Sequence, residues 1–559
     1  MPLGEKKVRR LTGLLLIAGV LITRLPFISR ILFEFDSIDF AVGTFRFSLE
    51  QVTPHFPGYI LHILFAKFLL LFLSNINLAF VWISILLSIG SVLLIWRAGA
   101  KLRGERVGVI AAVLWLFTPI FWFYGEVATA YLYEAFFASV FLYLGISLLR
   151  DRENKWLVYL LFIALSLATG ARQSSILFFS PCIIYILWKT RQPLKIWALG
   201  FILFVVATLL WLAILFGFSG GINAYLAQAS HETVYRSQSI LFGNSFSSHF
   251  KVVIKVLSEL LISALPFLFI LLSSILIYSK RTIKFLQAQL SKPTFIFTTL
   301  IALPPFLFYI GIYFMKAGYL LNILPSIALI SAVLLDQMAI WRAEKIKRAS
   351  DNKLLLTRPI ITFGTIRNLL LVLLCDGIIF FTPFPWTYLE NYNNEFTRDS
   401  YNAGISVSSN GSLLNRLFSF CNITGVSNID KLHKETLSIL QHESAHPEEL
   451  VLLDTWWHRW GYFYLPQSTE YDIRDFLSSD SLWIGRSQNF VRKVIEERTI
   501  QIPKDKKVIL LLREDHPAYS EISTQVHLQK ISKEKYLEIY RITDEHFSFH
   551  WKDIQFIKE

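Results

Sequence analysis

Charge is scarce in this sequence. Of its 559 residues, 17% are Asp, Glu, Lys or Arg and 54% are hydrophobic, whereas soluble domains average about 25% charged. Cysteine is scarcer: Cys182, Cys375 and Cys421 are the only three. Two of them lie in apolar runs, and no spacing suggests a disulfide framework or a metal site. Internal repeats and Gly-rich phosphate loops are also missing. These absences count against a set of water-soluble domains, a disulfide-stapled scaffold and a P-loop nucleotide site.

Aromatic residues are plentiful, with 48 Phe, 22 Tyr and 15 Trp, which suits lipid-facing and interfacial positions. Mean hydropathy is +0.49. The formal net charge of +13 would suit nucleic acid, but the basic residues sit in short loops between apolar runs. That placement orients a membrane protein, so no nucleic-acid partner is expected. The basic N-terminus followed by LTGLLLIAGVLIT resembles a secretory signal but has no small-residue cleavage site. It reads as a retained first helix.

Stretches of about 20 apolar residues cross a bilayer. Eleven are expected here: 11–29, 78–96, 107–124, 134–149, 156–171, 172–188, 196–218, 252–278, 294–314, 318–336 and 368–384. A further apolar run, 57–74, reads as interfacial or re-entrant. With that reading, and a cytoplasmic N-terminus, the cytoplasmic pieces hold 25 Lys and Arg. The opposite side holds seven: Arg30, Arg46, Lys67, Arg172, Arg236, Lys251 and Lys316. If 57–74 crossed, most basic loops would face outward, against the positive-inside rule. The alternative is a twelfth span with an error elsewhere. The expected organisation is a membrane domain over 1–384, with an outer loop 30–77 carrying interfacial helices, and a soluble extracytoplasmic domain over 385–559. The tail has strand-like runs at 450–454 and 507–513 and helical spacing over 487–499, so it reads as a small α/β domain.

Several polar residues fall on the outer face. Glu34, Asp36 and Asp39 follow the first span. Carboxylates beside a bilayer are costly to desolvate, and burial raises a carboxyl pKa toward the range of a general base. A solvated loop would also explain them. Thr53-Pro-His55-Phe-Pro-Gly58 forms a rigid corner, or merely starts the next helix. Glu126 and Tyr131 lie in the second outer loop, and Glu134 reads as an acid stabilised by a helix start. Arg172 and Lys316 are cations at a depth where a lipid phosphate could be held; snorkelling is the other reading, and it is the one favoured for Arg24. In the tail, Trp456-Trp457-His458-Arg459-Trp460 reads as a packed core with an exposed rim, or as a sugar-stacking surface.

Taken together, FDSIDFA, TPHFPGY, GEVATAYLYEA, TGARQSSILFFSP and KAGYLLNILP resemble the GT-C superfamily of membrane glycosyltransferases. That superfamily includes protein O-mannosyltransferases and aminoarabinose transferases. The resemblance spans roughly residues 10–340. Many members carry adjacent Asp-Glu in the first outer loop, whereas this chain has Asp36-Ser-Ile-Asp39.

The resemblance implies a polytopic α-helical, GT-C-like membrane protein in the plasma (inner) membrane. It would transfer a sugar from a polyprenyl-phosphate donor to an acceptor hydroxyl on a glycan, lipid or protein. Asp36, or else Asp39, would take the acceptor proton, and Lys316 and Arg172 would hold the donor phosphate. Glu126, Tyr131, His55 and Tyr319 would position substrate. No metal ligand set is assigned, and a divalent metal is left open. A transporter or flippase of lipid-linked saccharides is the competing class. It is disfavoured by the missing repeat and by charges at one face, with Asp376, in the last span, as the one buried-looking acid.

Overall fold

A computed structural model of the chain describes residues 3–51, 53–237, 246–312, 316–349, 363–381 and 423–559, the last except 456–457, 466, 474–481, 487–490, 496–497, 514–515, 533–536 and 553. The described residues form two compact units. One comprises Met1–Ser29 and Pro57 through the helices that follow, and the other comprises Arg30–Phe56 with Ser427–Glu559. The first outer segment therefore packs with the C-terminal unit. The expected boundary at 384/385 lies outside the described residues.

The first unit is helical. Its elements are α1 (Leu3–Arg24), then, after α2 (Phe35–Phe45) of the other unit, α3 (Ile60–Leu69), α4 (Ile76–Arg103), α5 (Glu105–Phe117), α6 (Pro119–Tyr124), α7 (Leu132–Arg150) and α8 (Lys155–Ala171). The chain continues through α9 (Ser175–Thr190), α10 (Leu194–Phe218), α11 (Ile222–Ser237), α12 (Phe246–Ser263), α13 (Leu265–Leu290), α14 (Pro293–Gly311), α15 (Leu324–Ala349) and α16 (Phe363–Phe381). Seven of the described helices are long and apolar enough to cross a bilayer. Many of their apolar side chains face outward, with Leu194 82% and Leu276 83% exposed. A bilayer is the solvent that makes such a surface stable, and the chain is an integral membrane protein.

The difference from eleven expected spans has local causes. The run 107–124 is divided at Thr118, where Pro119 opens a new helix and cannot continue the ladder of the old one. The run 252–278 is divided at Ala264, before Pro266, and its second part, α13, is one of the seven. Residues 156–171 and 172–188 form helices of 17 and 16 residues, at or below the usual crossing length. α16 covers the eleventh run only to Phe381. Residues 57–74 contain a helix of 10 residues, about 15 Å long, which is too short to cross a core of about 30 Å.

The second unit is α/β. Its central strands are β2 (Thr469–Asp472), β1 (Leu450–Asp454) and β6 (Lys507–Arg513), which are parallel neighbours. They sit inside a seven-stranded sheet of order β4-β3-β2-β1-β6-β8-β7. The antiparallel flanks are β3 (Leu482–Arg486), β4 (Val491–Ile495), β8 (Leu537–Ile542) and β7 (Leu528–Lys530). A second sheet joins β5 (Thr499–Gln501), β10 (Ile554–Lys558) and β9 (Phe547–Trp551). All five residues of β1 are buried, as expected for a parallel strand covered on both faces. The helices of this unit are α2, α17 (Ile423–Glu443), α18 (His458–Tyr464) and α19 (Pro517–Ile522).

The strands at 450–454 and 507–513 agree with the sequence reading, but the helical reading of 487–499 is corrected. Residues 491–495 form β4, paired antiparallel with β3. Val491, Val494 and Ile495 are β-branched, and pairing with a neighbouring strand outweighs a 3.6-residue spacing this short.

Candidate active site

The acidic segment begins in irregular backbone that the C-terminal unit grips. Asp430 of α17 accepts hydrogen bonds from the backbone N–H groups of Arg30 and Ile31, at 2.6 and 3.2 Å. The Tyr464 hydroxyl accepts one from the Leu32 N–H at 3.0 Å, and the Trp460 indole donates to the Leu32 carbonyl at 2.8 Å. Trp460 is fully buried, with its ring 5.0 Å from Phe35 and stacked on His433 at 4.1 Å. Of the aromatic–basic cluster, Trp460 is thus core, while Trp456 and Trp457 lie outside the described residues.

From this anchored backbone α2 starts with a capping box. The Glu34 side chain accepts from the Ser37 N–H, and Ser37 reaches back to the Glu34 N–H. Asp36 and Asp39 lie on the first turn and a half, with Asp36 30% exposed at its side chain and Asp39 buried. The turn 53–56 folds against the same helix. A Cβ on Gly43 would lie 2.6 Å from Pro54 Cδ, so that close approach needs glycine. The turn brings His55 Nδ1 to 3.9 Å from Asp36 Oδ1 and the His55 ring to 5.3 Å from Phe40. One ligand atom from each of Asp36, Asp39 and His55 lies within 4.8 Å of the others. Two carboxylates and an imidazole are donors a divalent cation accepts, a grouping the sequence reading did not assign.

The helical unit holds a separate cationic group. Arg172, the residue after α8, places Nε 2.8 Å from Glu134 Oε1 on α7. Its guanidinium lies over the Tyr319 ring at 4.3 Å and near the Tyr131 ring at 5.4 Å. Tyr319 stacks on Tyr309 at 5.4 Å. The other Glu134 oxygen accepts from Asn322 Nδ2 at 2.9 Å, and Asn322 also donates to the Tyr309 hydroxyl at 2.9 Å. Asn322 closes the short 3-10 turn Ala317–Asn322, which starts at buried Lys316. The Gly318 N–H donates to the Tyr124 hydroxyl at 3.1 Å. A Cβ there would lie 2.5 Å from Tyr131 Cγ, so only glycine lets this turn pass the ring.

Glu126 belongs to another arrangement. It is completely buried, and its charge interacts with Arg24. Burial pushes its carboxyl well above the usual carboxylate range, against the opposing pull of Arg24. Arg24 is also completely buried. It donates to the Thr23 hydroxyl and the Leu116 carbonyl, both at 2.7 Å, and lies 5.4 Å from the Phe121 and Trp122 rings. The snorkelling reading of Arg24 is therefore corrected. The Glu126 side chain, expected to position substrate, is fully enclosed beside Arg24.

Sequence reasoning missed Glu134 as a partner, along with Asn322, Asp430 and Tyr464. Asn322 sat inside the quoted KAGYLLNILP motif, which was its only signal. Glu134 was read as a helix-start acid because nothing local names Arg172 as its partner.

Residues 55–214 match the family described as dolichyl-phosphate-mannose-protein mannosyltransferase. In structure the chain is similar to ArnT from Cupriavidus metallidurans bound to undecaprenyl phosphate. The two share 12% identity and a TM-score of 0.54, over 98% of this chain and 99% of that one. Apo ArnT from the same organism gives 12% identity and a TM-score of 0.52, over 96% and 98%. No curated protein matches the sequence. Across nearly its whole length, then, the chain has the fold of ArnT.

Proposed function

We propose that the protein is a membrane glycosyltransferase that moves a sugar from a polyprenyl-phosphate donor to an acceptor hydroxyl on the extracytoplasmic face. The observation that carries this reading is the clustering of Asp36, Asp39 and His55 at the start of α2 in a chain that follows the ArnT fold from end to end. The family match over 55–214 and an ArnT structure that binds undecaprenyl phosphate support the choice of donor class.

In this reading Asp36 is the base, because it is the more exposed of the two acids. Its carboxylate takes the hydroxyl proton as the acceptor oxygen attacks the anomeric carbon. The bond from that carbon to the phosphate oxygen breaks, and the polyprenyl phosphate leaves with the electron pair. Lys316 and Arg172 stabilise the charge that develops on the phosphate. His55 orients Asp36, and Asp39 shapes the field around it. Tyr131 and Tyr319 act through Arg172, whose cation they face. A divalent ion held by Asp36, Asp39 and His55 would add Lewis acidity, but no step above passes through it.

The test is transfer from labelled polyprenyl-phosphate sugars in membranes carrying the full chain. Lipid-dependent transfer that Asp36→Asn abolishes supports the reading. Equal transfer by wild type, Asp36→Asn and Asp39→Asn would reject the site.

A further inference from the structure

Glu134 joins two groups that chain order keeps far apart. One carboxylate oxygen meets Arg172 Nε at 2.8 Å, and the other accepts from Asn322 at 2.9 Å. Asn322 ends the turn that Lys316 begins. Glu134 has no solvent exposure at its side chain, and Asn322 is fully buried. Leaving such a charge in place is costly unless it is paired and hydrogen-bonded. Here the pairing lies on the side of Arg172 that points away from its terminal nitrogens. Tyr319 and Tyr131 cover the guanidinium, and Nε faces Glu134. Among the described residues, neither Nη group has a hydrogen-bonding protein partner, and the side chain keeps 13% exposure. A guanidinium held at Nε and over its face, with Tyr59 and Tyr309 also close by, keeps its Nη donors for an oxyanion in a forked contact.

We propose that Glu134 is a positioning residue for the donor phosphate: through one oxygen it aims the Nη edge of Arg172, and through Asn322 it fixes the turn carrying Lys316. The inference rests on the glycosyltransferase reading and adds a residue that touches neither sugar nor phosphate. Without Glu134, Arg172 would keep only its ring contacts, and the turn after Lys316 would lose one of its anchors, keeping those to Tyr124 and Tyr309. One buried carboxylate sets both, so its removal weakens phosphate binding without touching the base.

The experiment measures binding of a polyprenyl monophosphate to the purified full chain in lipid nanodiscs, with no turnover required. The proteins are wild type, Glu134→Gln, Asn322→Ala and the double variant. Asn77→Ala serves as a buried control in the same unit, where Asn77 donates to the Ser29 carbonyl. Glu134→Gln is expected to weaken binding about tenfold, the scale of a hydrogen bond to a charged group. Asn322→Ala weakens it by a smaller factor, the double variant falls short of the product of the two, and Asn77→Ala binds as wild type does. If transfer is then assayed, donor KM rises in Glu134→Gln while kcat at saturating donor and acceptor KM stay within about threefold.

Equal binding by wild type and both single variants overturns the positioning role. So does tighter binding by Glu134→Gln, which would make Glu134 a competitor for Arg172. Should Glu134→Gln fail to fold, Asn322→Ala decides: weaker binding supports the role and unchanged binding rejects it. If wild type binds no polyprenyl monophosphate, the donor reading fails, and this inference with it.

Discussion

In the unit that carries Asp36 the mount is main chain. Asp430, Tyr464 and Trp460 hold the backbone of residues 30–32, and a capped helix then presents the acids. In the unit that carries Arg172 the mount is side chain. A buried carboxylate, an amide and stacked tyrosines hold the guanidinium. The contrast follows from the solvent. Helices in a bilayer keep their backbone groups to themselves, so little but side chains is left to join one helix to another. An irregular segment packed in the α/β unit has N–H and C=O groups that must be satisfied, and the unit can use them as handles. The acids are thus as well placed as the C-terminal unit is folded, and the cations as well placed as one ion pair is intact.

The comparison breaks most sharply at the acids. Asp36→Asn is expected to lower transfer by about 10²-fold or more, the usual range for a lost general base, with Asp39→Asn less severe. The larger loss in Asp39→Asn would exchange their roles. Next, Lys316→Ala should cost about 10²-fold in kcat/KM for the donor, as removing one donor to a developing oxyanion does. Steady-state kinetics with a soluble short-chain donor would measure both.

Smaller effects sharpen the difference between the mounts. Asp430→Asn leaves one of two backbone N–H groups facing an amide instead of a carboxylate, and hydrogen bonds to charged groups contribute about 1.5–3 kcal/mol. We expect kcat to fall about tenfold with donor KM unchanged, the reverse of the Glu134→Gln pattern. The smallest effect concerns pH. Burial lowers the His433 pKa well below its ordinary 6.5, so the folded unit keeps this ring neutral where the unfolded chain would protonate it. Its contribution to stability is complete above about pH 6.5 and is lost as pH falls below that. Protection factors at β1 and β6 amides, which remove the intrinsic pH dependence of exchange, should fall between about pH 7.5 and 5.5 in wild type, and less so in His433→Phe.

Legibility in the sequence followed how local each determinant was. Strands β1 and β6 could be read because they are continuous apolar runs covered on both faces. The acids Asp36 and Asp39, and the cations Arg172 and Lys316, stood out as candidates because charge is rare beside apolar spans. The break at Thr118-Pro119 was visible as a proline but was hidden by the hydrophobicity around it. Strand β4 misled because five residues fit either period. Burial of Arg24 and the Glu134–Arg172 pair were not legible, since their partners are tertiary. The grip of Asp430 on Arg30 and Ile31 joins residues about 400 positions apart, and no local pattern encodes it.

The central claim is that a carboxylate at the start of α2 drives sugar transfer from a lipid phosphate. The most direct measurement compares wild type with Asp36→Asn and Asp39→Asn, at matched expression, for transfer from labelled polyprenyl-phosphate sugars in membranes. The account predicts lipid-dependent transfer by wild type and its loss in Asp36→Asn. Undiminished transfer by both variants would contradict it.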